Sequence, residues 1–230
     1  MCEHNINVHA LNEIKSDIMR FSPYPDLVNI IAVTKNFNIS AIKSANINNI
    51  TLIGENRVQE YIKKIQNFTE LEQKIESHLI GKLQTNKVNK AVGTFDFIHT
   101  VDSLRLAIKI DSRAQKIGIT QPIFIQLNIG NDPNKTGFNQ TELYEAAEKI
   151  QKLNNTHLTG IMTILPFLEN VQNTEKMFEK IRLTAEEIKQ KIAPQCDNLS
   201  MGMSRDYVYA LKQGATHVRI GTMLYGKRKY

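Results

Sequence analysis

The 230 residues, 41% of them hydrophobic and 23% charged, suit one soluble domain with a sizeable core and exclude fibrous or low-complexity classes. No apolar run approaches the roughly 20 residues of a membrane span, and the first 20 residues carry Glu3, Glu13 and Asp17 without a continuous apolar stretch, which argues against a signal peptide. The net charge of +6 comes from lysines scattered among glutamates; that is a pattern of solvated helix faces with some pull on a phosphorylated small ligand, and it lacks the clustering of a nucleic-acid surface.

In chain order, an amphipathic helix is expected over 6–20, followed by a strand at 28–34. Further strands are expected at 50–54, 77–80, 96–100, 122–129, 157–164, 198–201 and 217–220. Helical periodicity fills the intervals, over 103–117, 141–153, 171–192 and 205–212. Short β-rich runs alternating with helices imply a parallel sheet, and eight of them favour a closed, TIM-type (β/α)8 barrel with one extra N-terminal helix. A doubly wound open sheet is the alternative; it usually has fewer strands and a Gly-rich first turn, and GxGxxG is absent. No linker or second-domain boundary stands out, so 1–230 is expected to be a single domain. Cys2 and Cys196 lie far apart without CxxC spacing and suit a reducing, cytoplasmic compartment.

Function in such a barrel sits at the C-terminal ends of the strands, and phosphate often binds after strands seven and eight. Strand seven leads through Met201-Gly202-Met203 to Ser204, with a helical stretch from Arg205 directly after it. Ser204 is therefore expected to be that helix's N-cap, beside free N–H groups that attract an anion. Strand eight ends in Arg219-Ile220-Gly221-Thr222, where Gly221 permits close backbone approach and Thr222 adds a hydroxyl. Taken singly, Ser204 as a mere cap and Gly221 as a turn glycine are the ordinary readings; their occurrence at adjacent strand ends brings a site level with them. Side-chain alternation places Arg219 inward, one layer below Gly221. A buried arginine needs an acceptor, either an internal carboxylate or a heteroaromatic nitrogen on a ligand.

Strand one ends in Thr34-Lys35, so Lys35 emerges at the mouth, where partial desolvation would lower its pKa and expose a nucleophilic amine. A lone lysine at a strand end is more often a solvated rim residue. Strand two ends in Gly54-Glu55-Asn56, placing a carboxamide beside that lysine. The six histidines show no metal-binding spacing, and His99 and His217 read as structural rather than basic catalysts. There is no P-loop and no GxSxG.

Five blocks carry a resemblance. Ile31-Ala32-Val33-Thr34-Lys35, Gly54-Glu55-Asn56 with Val58-Gln59-Glu60, His78-Leu79-Ile80-Gly81 with Leu83-Gln84-Thr85-Asn86-Lys87, Leu199 to Ser204, and Val218 to Thr222 are similar, in order, to the YggS/PROSC family of pyridoxal phosphate (PLP) homeostasis proteins. The resemblance implies a barrel like the N-terminal domain of alanine racemase, with PLP held as a Schiff base on Lys35. It also implies phosphate contacts from Ser204, Gly221 and Thr222, Arg219 against the pyridine nitrogen, and Asn56 lining the pocket. The sequence departs from the family pattern at Thr34, which stands for a serine, and at Asn36-Phe37-Asn38, which replace a basic residue and a proline. Arg57 stands for a tyrosine and Lys82 for a proline.

A charged arginine at the ring nitrogen opposes the protonation that makes PLP an electron sink. Barrel-type racemases also use a second domain, and this chain stops at Tyr230. The expected function is therefore PLP storage and delivery in the cell, without appreciable turnover, by a monomer that meets PLP-dependent apo-enzymes and neither nucleic acid nor membrane. A PLP-dependent amino-acid racemase is the alternative, followed by a Schiff-base lyase and a nucleic-acid-binding module. The loop 128–137 after strand five is long, polar and Gly/Pro-rich. It is expected to be mobile and to carry Lys135, a second amine, near the mouth.

Overall fold

Eight parallel strands close into a barrel in chain order, β1 pairing with both β2 and β8. They are β1 Asn29–Val33, β2 Leu52–Glu55, β3 Glu76–Leu79, β4 Phe97–Val101, β5 Gln121–Leu127, β6 Thr156–Thr163, β7 Asn198–Met203 and β8 His217–Ile220. The computed structural model describes residues 5–66, 73–130, 132, 135–166 and 170–226; Cys2 and, in the loop after β5, Asn131, Pro133 and Asn134 lie outside the described residues.

The helices wrap the barrel: α1 Val8–Phe21, α2 Ile39–Ile47, α3 Val58–Ile65, α4 Val88–Ala91, α5 Leu104–Lys116, α6 Gln140–Ile150, α7 Val171–Lys191, α8 Tyr207–Lys212 and α9 Thr222–Tyr225. The helix α1 is the extra N-terminal element. Its Leu11, Ile14 and Ile18 recur at three- and four-residue spacing and are buried, as an amphipathic stripe must be. Asn7 caps it by accepting from the Ala10 N–H, and the Asn7 N–H donates to the Leu224 carbonyl at 2.8 Å, tying the helix to α9. On α6, Asn139 and Glu142 form a capping box. No described helix is long and apolar enough to cross a membrane.

Most element ends shift by one to three residues from expectation, and two of the shifts have a plain local reason. β5 stops at Leu127 because the Asn128 side chain turns the chain outward, donating to the Asp132 carbonyl at 2.9 Å and accepting from the Asp132 N–H at 3.2 Å. β7 runs on to Met203 through Gly202, whose φ of +89° and tight fit against Ala210, 2.7 Å from where a Cβ would sit, require glycine.

The N-terminal half of the barrel interior is filled by rings. His99 stacks on Phe124 with centroids 4.0 Å apart, and His78 stacks on Phe97 at 5.0 Å. His217 completes this layer, 5.6 Å from Phe124. The packed floor leaves the opposite end, where the strands terminate, as the open mouth.

Candidate functional site

A cavity of about 660 Å³ opens at that mouth. Lys35, Asn56, Ser204, Arg219, Gly221 and Thr222 all line it, so four strand ends far apart in sequence deliver the expected residues to one place. Val33, Ile80 and Leu165 form apolar wall, and Met203, Asp206 and Tyr209 close the side beneath α8.

Lys35 is half-buried and its two neighbours are both fastened. The Thr34 hydroxyl, fully buried, points away from the cavity and donates to Glu55 Oε1 at 2.7 Å. Asn36 adopts φ +64°, a conformation asparagine tolerates, and its N–H donates to Glu60 Oε1 at 2.5 Å. One ammonium joins the two carboxylates: Lys64 Nζ lies 2.7 Å from Glu55 and 2.9 Å from Glu60. Burial pushes the Glu55 carboxyl up, against the opposing pull of Lys64 and two hydrogen bonds. Its second oxygen, Oε2, is buried with no hydrogen-bond partner among the described residues.

Across the cavity, the expectation for Ser204 needs correcting. α8 begins at Tyr207 with Asp206 at the cap position, because the Asp206 carboxylate takes the Met203 N–H at 2.6 Å and tightens a turn there. Ser204 instead reaches the next strand end: its hydroxyl accepts from the Gly221 N–H at 3.3 Å and the Met223 N–H at 3.4 Å. Gly221 has φ −117°, open to any residue, so no backbone strain calls for glycine there. On the near side, Asn56 is set by Gly81, where a Cβ would come within 2.3 Å of the Asn56 carbonyl oxygen.

Arg219 is buried at the cavity floor, and among the described residues its hydrogen bonds go to no internal carboxylate. It donates to the Ser200 carbonyl at 2.7 Å, the Ser200 hydroxyl at 2.8 Å and the Thr163 carbonyl at 2.7 Å. Burial brings its pKa down to about 10, with Asp206 opposing the shift, so the guanidinium stays charged at neutral pH.

The sequence profile of the family described as alanine racemase, N-terminal domain, matches residues 6–229. A pyridoxal phosphate homeostasis protein of Aquifex aeolicus (strain VF5) is 41% identical over 181 residues, 79% of this chain and 78% of that protein. The chain belongs to the YggS/PROSC family. Among solved structures, PipY of Synechococcus elongatus PCC7942 without PLP superposes with a TM-score of 0.86 at 37% identity, covering 95% of this chain and 99% of PipY. PipY with PLP bound gives 0.84 at 35% identity, with the same coverage.

The Glu55–Lys64–Glu60 group was missed in the sequence, although the Glu60–Lys64 spacing and a carboxylate ending an apolar strand were visible signals. Lys135 does not line the cavity; among the described residues beside it, Asn128 donates to the Asp132 carbonyl at 2.9 Å, Gln126 donates to the Thr136 carbonyl at 2.8 Å, and the Asp132 carbonyl accepts from the Lys135 N–H at 3.0 Å.

Proposed function

We propose that this chain binds pyridoxal 5′-phosphate at the barrel mouth with Lys35 as its covalent anchor, and that it stores and hands on the cofactor without turning over a substrate. One observation carries the reading: Lys35, Arg219, Ser204 and Gly221 line a single cavity, where the Ser204 hydroxyl accepts from the Gly221 and Met223 N–H groups. These residues fit the cofactor's polar ends. Lys35 offers an amine to an aldehyde. The hydroxyls of Ser204 and Thr222 and the backbone N–H groups beside them suit a phosphate. Arg219, a donor only, suits an unprotonated pyridine nitrogen, and Asn56 offers its carboxamide from the β2 side.

Bound PLP supplies an electrophilic aldehyde and, when its ring nitrogen is protonated, an electron sink. Arg219 works against that protonation by keeping a positive charge at the floor, so the chain's own residues favour retention over turnover. The names of the relatives and the PLP-bound state of PipY support the same reading. In it, residues 1–230 act as one PLP-binding barrel, a cytoplasmic monomer that delivers to PLP-dependent apo-enzymes. The Cys196 thiol, pushed up to about 12 by burial, is inert and suits a reducing compartment.

Absorption spectroscopy after adding PLP to the purified protein tests the proposal, with borohydride reduction and peptide mapping to locate the link. A near-ultraviolet to visible band that disappears in Lys35→Ala is expected. Label on another lysine with none on Lys35 would defeat the assignment.

A further inference from the structure

Four polar side chains cross the barrel core from the closed end to the mouth and meet in a continuous line. Glu76, at the start of β3, is half-exposed on the N-terminal face, and its carboxylate lies 2.9 Å from His78 Nε2. His78 Nδ1 lies 2.8 Å from His99 Nε2, and His99 Nδ1 lies 2.9 Å from the Ser200 hydroxyl. The Ser200 hydroxyl in turn accepts from Arg219 at 2.8 Å. His78 and His99 are fully buried.

With one proton on each imidazole, a single direction of the line satisfies both ends. Arginine only donates, so the Ser200 oxygen accepts from Arg219, and in that direction its own proton turns to His99 Nδ1. His99 then carries its proton on Nε2 and gives it to His78 Nδ1. His78 in turn is protonated on Nε2 and donates to Glu76, whose ionised carboxylate only accepts. Arg219 at the cavity floor and Glu76 at the far end thus terminate one chain of hydrogen bonds through two imidazoles, a setting in which hydrogen bonds reinforce one another. Burial and the nearby His78, His217 and Arg219 hold His99 neutral, as the line requires.

We propose that Glu76, His78, His99 and Ser200 are positioning residues that fix the Arg219 guanidinium through a one-way hydrogen-bond relay, so that a carboxylate on the closed face influences ligand retention at the open one. The effect on the ligand rests on the PLP reading above; the relay itself does not.

Nitrogen-15 NMR of histidine- and arginine-labelled protein, with and without PLP, tests both halves. The unloaded wild type is expected to show His78 and His99 each carrying its proton on Nε2 rather than Nδ1. Glu76→Gln removes the charge that sets the direction and touches nothing in the cavity. It is expected to move the Arg219 guanidinium resonances, shift the band of bound PLP and weaken PLP roughly fivefold, the low end of couplings between distant sites. Ser200→Ala is expected to do the same, and the double variant to be no worse than Ser200→Ala alone, since both break one line.

His99 protonated on Nδ1, or a Glu76→Gln protein with wild-type Arg219 resonances and PLP affinity, would overturn the relay. If a variant fails to fold, the wild-type tautomers still decide. If wild type takes up no PLP, the cofactor reading fails while the tautomers and the Arg219 resonances continue to judge the relay.

Discussion

Lys64 Nζ donates to the Thr34 carbonyl at 2.9 Å, so an ammonium on α3 is fastened to the residue directly before Lys35. The same nitrogen grips Glu55 and Glu60, which hold the Thr34 hydroxyl and the Asn36 N–H. The backbone on either side of Lys35 is therefore set from behind the barrel wall, by groups that do not line the cavity.

Lys64→Ala leaves the buried Glu55 charge without its partner, an error that costs about 3–5 kcal/mol in buried pairs. A lowered denaturation midpoint is expected, together with weaker PLP retention, because the Lys35 turn loses its anchor. Lys64→Met combined with Glu55→Gln removes both charges and is expected to regain much of the stability but not the retention. Denaturant melts and PLP titrations on the two proteins separate these effects. Full retention in the double variant would show that Lys35 needs no such clamp.

The proposed phosphate contacts carry a separate prediction. Ser204→Ala and Thr222→Ala are each expected to weaken PLP by about 1–3 kcal/mol, the loss of a charge-assisted hydrogen bond. Ser204→Ala also strips an acceptor from the Gly221 and Met223 N–H groups and should be the larger change. Pyridoxal, lacking the phosphate, should bind poorly and respond little to either substitution. Unchanged PLP affinity in both variants would place the phosphate elsewhere.

The barrel was legible in the sequence because each strand is a short apolar run bounded by turn residues, and the six cavity residues were legible because they stand at strand ends. Ser204 was placed correctly and its role misread. A hydroxyl before a helical stretch resembles a cap, and only the turn made by Asp206 and Met203 shows that it serves β8 instead. Lys64 was invisible for another reason. Beside Glu60 on an amphipathic helix it looks like an exposed ion pair, and its burial depends on how α3 packs over β1 and β2. His78 and His99 are likewise unremarkable 21 residues apart until the pairing of β3 with β4 brings their rings together.

Acid should destabilise the fold through the core histidines. Burial lowers His217 from 6.5 to about 3, and His99 well below 6.5. Below about pH 6.5 the unfolded chain protonates both residues while the folded chain does not, so the unfolded state binds more protons. Stability is complete above that pH and falls as pH drops toward 3, by about 1.4 kcal/mol per unit for each histidine. Glu55, raised by burial, acts in the opposite sense nearer its own range. Melting the unloaded protein at pH 7.5 and 5.5 should show a Tm lower by roughly 5–10 °C at the acid end, from the size scaling of ΔG to Tm. His217→Gln should lessen the drop; an identical Tm at both values would mean the histidines are protonated in the folded core.

The last prediction concerns turnover and rests on Arg219. Its guanidinium is held by the Ser200 and Thr163 carbonyls and cannot rotate away from the cavity floor without breaking both hydrogen bonds. In the proposed binding mode that charge faces the ring nitrogen, so protonation of the ring is disfavoured and removal of a proton from a bound amino acid gains little from it. Loaded protein incubated with alanine in deuterium oxide should therefore exchange its α-proton marginally or undetectably. Arg219→Gln removes the charge while its carboxamide can still donate to one of the two carbonyls. It should loosen the fold by about 1–3 kcal/mol, the cost of a buried acceptor left alone, and shift the band of bound PLP as the ring nitrogen becomes free to protonate. Any exchange should rise in that variant relative to wild type. Rapid exchange in wild type with several amino acids, at a rate matching a working enzyme, would overturn the carrier reading and restore the racemase.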